Sequence, residues 1–173
     1  MAETKANLPN DPESIKFPKQ PQYYYVWQKT QNIPIHDTFY VESLAKAEVA
    51  PWELFGGNGC FVNLTDSFLV GSFVLEIPPG KSLKPMHHLF EAQTYIIEGN
   101  GHTVIEQPGY PAHTVSWQKG SLFSPPVNSH YQHVNRSQDR PARILVVNNA
   151  PLVMSVFHDE RFIFNDTFVF DKR

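Results

Sequence analysis

Cysteine is almost missing from this chain: Cys60 is the only one in 173 residues. A single thiol closes no intrachain disulfide and builds no thiolate metal cluster. Basic charge is also scarce. Lys and Arg number 14 against 17 Asp and Glu, giving a net charge of −3 and a pI near 6.2. No basic stripe interrupts that balance, so a nucleic-acid partner is not expected. No apolar run approaches the roughly 18 residues of a membrane span. The start, MAETKANLPNDPESIKFPKQPQ, is polar and proline-bearing, without an apolar leader. Neither a signal peptide nor a membrane partner is therefore expected, and the expected location is cytoplasmic. With no leader, the triplets at Asn63, Asn135 and Asn165 read as chance matches to a glycosylation signal.

A long helical period is missing as well. From Cys60 onward the chain runs through CFVNL, SFLVGSFVLEI, TYIIEG, HTVIEQ, HTVSWQ, SLFSPP, YQHVN and ARILVV. Each piece is short, rich in β-branched or aromatic residues, and bounded by Gly, Pro, Asn or Asp. Such spacing predicts an all-β sandwich or barrel. Hydrophobic residues at 41% and charged residues at 18% fit an ordinary folded domain. Residues 1–34 read as an N-terminal arm whose Tyr23–Trp27 cluster packs on the barrel or on a second copy. Residues 35–173 read as the barrel, with a strand-like tail over FHDERFIFNDTFVFDKR. Short helices are expected only within ESLAKAEV and near the C-terminus. Gly99-Asn100-Gly101 reads as a hairpin turn, not a phosphate loop, because no helix follows it.

Histidines concentrate in two blocks. IPPGKSLKPMHHLFEAQTYIIEGNG resembles the first cupin motif, with a glycine, histidines, a glutamate and a later turn glycine. KGSLFSPPVNSHYQHVN resembles the second, with a glycine, a proline, a histidine and an asparagine. The wider pattern covers residues 35–165. It is similar to single-domain bacterial cupins with a YQHxN second motif and a PWELFGGNG-type segment. The resemblance implies an all-β, cupin-like double-stranded β-helix (jelly-roll) barrel, a pocket in its mouth and a homodimer.

Carried over residue by residue, the usual metal ligands mostly fail. Gly99 in register puts Met86 on the first histidine position, His88 on the second and Ala92 on the glutamate. Pro126 and Asn135 in register put Tyr131 on the last histidine. Only His88 survives. Strand side chains alternate faces, so one residue of displacement turns a group to the other side. In that register Met86, His88, Ala92, Tyr131, His133 and Asn135 face inward. His87, Glu91 and His130 face out.

Two chemistries follow. His88 and His133 suit a divalent metal (Fe, Mn, Zn or Ni) if a bulge turns Glu91 inward, with Glu76 a second recruit. Alternatively, His88, Tyr131 and His133 form a metal-free acid/base and hydrogen-bonding set. Met86, Phe90, Tyr95, Trp117 and Phe123 are expected as core or pocket wall. The expected function is a small-molecule enzyme of lyase, isomerase or oxygenase type. The alternative is a non-catalytic sensor or storage barrel.

Overall fold

The computed structural model describes residues 22–64 and 67–164. Ten strands carry the fold: β1 (Ile35–Thr38), β2 (Ala50–Trp52), β3 (Gly57–Leu64), β4 (Gly71–Ile77), β5 (Ala92–Glu98), β6 (Asn100–Glu106), β7 (His113–Gln118), β8 (Leu122–Phe123), β9 (His130–Asn135) and β10 (Ala142–Asn148). The larger sheet orders them β1-β3-β4-β10-β5-β8, with β2 also on β3. The smaller sheet is β7-β6-β9. Alternation is visible in the burial: in β10 every second residue from Ala142 to Asn148 is buried, and in β9 Tyr131, His133 and Asn135 are. The molecule is the expected all-β jelly roll of two facing sheets.

Gly99 is not a hairpin turn. It joins β5 to β6, which lie in different sheets and do not pair with each other. Its φ of +92° and the close Ala142, 2.7 Å from where a Cβ would stand, make it the corner where the chain changes sheet. The side chain of Asn135 fastens the same end, donating to the carbonyls of Ile77, Pro78 and Arg140.

Sequence reading missed the helix α1 (Gln22–Thr30). Tyr24, Trp27 and Gln28 share one buried face at helical spacing. Trp27 stacks on Phe164 and meets Phe61 edge-on. This part of the expected arm is thus built into the barrel's own core. The C-terminal side carries α2 (Ala150–Phe157) and α3 (Glu160–Phe164). The expected strand-like tail is therefore helix at Phe157, which ends α2, and over 160–164, and residues 165–173 lie outside the described residues. The Ile163 carbonyl accepts the Leu89 N–H, which holds α3 against the barrel wall. Leu44–Lys46, within ESLAKAEV, forms one 3-10 turn.

Trp52, Phe55, Phe61 and Phe73 form an aromatic centre with ring centroids 4.6–6.4 Å apart. Each such ring contributes roughly 2–3 kcal/mol by leaving water. Outside the large sheet, Cys60, Val62 and Val74 form a second apolar layer with Ala47. Burial there pushes the Cys60 thiol up to about 11.

Candidate functional site

The site is built on β9 and on the segment before β5. Residues 82–86 run beside β9: Met86 exchanges both backbone hydrogen bonds with Tyr131, and Leu83 N–H reaches the His133 carbonyl. That stitching sets His88 opposite Tyr131. Tyr131 and His133 are two apart on one strand, so they share a face. His88, Tyr131 and His133 are 4%, 5% and 1% exposed. Tyr131 lies edge-on to both histidines, with ring centroids 5.5 Å from His88 and 5.3 Å from His133.

Hydrogen-bond partners fix the state of His88. A carbonyl can only accept, so His88 Nδ1 must carry a hydrogen to bond the Phe90 carbonyl at 2.9 Å. Its Nε2 then bears a lone pair, and the Tyr131 hydroxyl donates to it across 2.6 Å. The Phe90 ring stacks on the imidazole at 3.8 Å and 1°. Burial holds His88 down to about 4 and pushes Tyr131 above its ordinary value. Both groups are neutral at pH 7.

His133 sits in a second network. Its Nδ1 lies 2.6 Å from Thr103 Oγ1, and that oxygen accepts from Trp117 Nε1 at 2.9 Å. Thr103 and His133 are direct cross-strand partners in β6 and β9. Gly101 makes room for the indole: a Cβ there would stand 2.3 Å from Trp117 Cη2. Burial, then the nearby His88, pull His133 down to about 3. Its Nε2 is buried and has no hydrogen-bond partner among the described residues. Phe123 flanks it edge-on at 6.0 Å.

Other expected groups lie elsewhere. Glu91 is exposed, and no bulge turns it inward; its backbone N–H is held by Asn149 Oδ1. Glu76 pairs with Arg143 at 2.7 Å on the outer side of β4. His87 and His130 stack on each other at 3.9 Å away from the interior set, with His130 exposed and His87 held by Asn128. Tyr95 is 41% exposed and is no part of the inner wall. Thr103 and Gly101 were missed. Thr103 is legible only once β6 is set beside β9 in register.

These donors do not fit a resident metal. His88 has both nitrogens committed, His133 offers one, and no carboxylate joins them. Among the described residues no three His, Cys, Asp or Glu side chains converge. The set His88, Glu91, His133 is therefore not gathered into a coordination site.

No protein-family model matches the chain. No curated protein matches it. Solved structures do. Oxalate decarboxylase from Lactobacillus farciminis, in a formate complex, superposes with a TM-score of 0.53 at 16% identity, over 69% of this chain and 42% of that one. The cupin domain of Schizosaccharomyces pombe Cnp3 gives 0.51 at 14% identity, over 65% and 70%. Tomato (Solanum lycopersicum) vicilin gives 0.49 at 17%, over 54% of this chain and 28% of its own. The first two superpositions identify the architecture as the cupin fold. The chain spans less than half of the decarboxylase and under a third of the vicilin, and likeness at this identity shows fold alone.

Proposed function

We propose that the barrel interior is a metal-independent site for a small, uncharged organic molecule. The observation that carries this reading is the His133 Nε2 atom: buried, without a partner among the described residues, and next to the neutral Tyr131–His88 pair. Native proteins rarely leave such an atom unmatched, which supports a guest as its partner. Aromatic walls and a few aimed polar groups are what small-molecule sites use. Both histidines are held neutral, which disfavours a charged guest and favours hydrogen bonding.

Proton-transfer chemistry of lyase or isomerase type is the second reading. It is favoured by the 2.6 Å contact between Tyr131 and His88, along which the phenol's proton can pass as the phenol oxygen takes one from substrate. A sensor or storage barrel uses the same contacts without turnover.

The test is mass spectrometry and elemental analysis of protein purified without an affinity tag, then incubated with Fe, Mn, Zn or Ni. The reading expects metal well below one ion per chain and a small molecule bound in the barrel. One retained ion per chain that disappears in His133→Ala overturns it. Turnover of the bound compound, lost in Tyr131→Phe, selects the enzyme over the sensor.

We propose a second copy of the chain as the protein partner. Phe39, Tyr40, Leu64, Leu69 and Val70 are 44–65% exposed, an unusual density of bare apolar side chains. Four of them, all but Leu69, line an outer hollow of ≈ 340 Å³. Among the described residues no helix is long and apolar enough to cross a membrane.

A further inference from the structure

The hydrogen atoms in the barrel can be counted, and the count says what the guest must offer. Thr103 Oγ1 has one proton and two lone pairs. The Trp117 indole N–H can only donate, so it occupies one lone pair. If His133 Nδ1–H occupied the other, the Thr103 proton would have no acceptor, and His133 Nε2 would still be unmatched. If Thr103 instead donates to Nδ1, every hydrogen of the Trp117–Thr103–His133 network is matched except one: the hydrogen on His133 Nε2. The second arrangement leaves fewer buried groups unmade and is the one a dry interior selects.

The Tyr131 side follows the same logic. Its only proton goes to His88 Nε2, because His88 Nδ1–H is committed to the Phe90 carbonyl. No described residue donates to the phenol oxygen, so it keeps an acceptor site. His133 Nε2 and the Tyr131 oxygen are not bonded to each other. The barrel therefore holds one donor and one acceptor, two residues apart on one strand face, with Phe90 against His88 and Phe123 beside His133.

We propose that the barrel selects uncharged molecules carrying an acceptor oxygen beside an N–H or O–H donor, of the carboxamide or lactam class. The carbonyl takes the His133 Nε2 hydrogen, and the N–H or O–H meets Tyr131. A carboxylate anion has acceptors only and would set its lone pairs against the phenol oxygen. This selectivity rests on the small-molecule reading above, and its test separates the two.

Isosteric probe pairs provide the test: acetamide against acetate, and pyrrolidinone against cyclopentanone. Binding to the full chain is followed by protein NMR at pH 7. The amide of each pair should bind about tenfold tighter than its partner, and Tyr131→Phe should remove that preference. Long-range 1H–15N spectra of the wild-type protein should show His133 as the neutral Nε2–H form, a result independent of whether any variant folds. Acetate binding as tightly as acetamide, or cyclopentanone as tightly as pyrrolidinone, overturns the selectivity while leaving the small-molecule site standing. So does an Nδ1–H or doubly protonated His133. Absence of any probe from the barrel overturns both.

Discussion

The Tyr131 hydroxyl donates to His88 Nε2 across 2.6 Å inside the barrel, and it is the only side-chain partner that nitrogen has among the described residues. Removing the phenol oxygen leaves a buried lone pair with nothing to accept. Tyr131→Phe is therefore expected to cost about 1–3 kcal/mol, more than a lost exposed hydrogen bond. Urea unfolding at pH 7.5 measures it. A change within a few tenths of a kcal/mol would mean that water reaches His88 and the interior is wet.

Stability should fall on mild acidification. His88 and His133 are held below the ordinary histidine value, at about 4 and about 3, because burial penalises their charged forms. The unfolded chain binds those protons near pH 6.5 and the folded one does not. Stability is full above about pH 6.5 and drops as pH falls toward 4, by up to about 1.4 kcal/mol per pH unit for each histidine. Denaturant midpoints at pH 7.5, 6 and 5 give the slope. Replacing His133 by Leu should remove about half of it, and an unchanged slope would remove His133 from the account.

Gly101→Ala should disturb a residue it never bonds. The added methyl would stand 2.1 Å from the Val134 carbonyl oxygen and 2.3 Å from Trp117, so the indole must move. Overpacking of this kind costs about 1–3 kcal/mol. The Trp117 hydrogen bond to Thr103 should weaken with it. Altered His133 imidazole resonances would report the loss, whereas native resonances with only a lower melting temperature would confine the effect to packing.

Sedimentation at tens of micromolar should show a dimer. Lysine substitutions at Phe39 and Leu69, which are 65% and 56% exposed, should yield a folded monomer. A monomeric wild-type chain would remove the second copy from the proposal.

Strand content was open to sequence reading because alternation writes itself into single strands. The inward set Met86, His88, Tyr131, His133 and Asn135 followed from strand parity only because the cupin resemblance implied which face is inward. What escaped depended on relations between distant segments. Thr103 became part of the set only through its pairing with His133. Gly99 looked like a hairpin because a turn glycine carries no mark of which sheet the next strand joins. Helix α1 was hidden by aromatic residues that favour strands, although Tyr24, Trp27 and Gln28 repeat at helical spacing. Glu91 needed a bulge to turn it inward, and β5 begins at Ala92 without the extra residue that would do so.

Cys60 gives this molecule a built-in clock. Its thiol is fully buried on the outer face of β3, under Ala47 and beside Val62 and Val74, and is held protonated by burial. An alkylating reagent can reach it only when that outer layer lifts, so the labelling rate at the chain's sole thiol counts openings of the segment carrying Leu44, Ala47 and Val49.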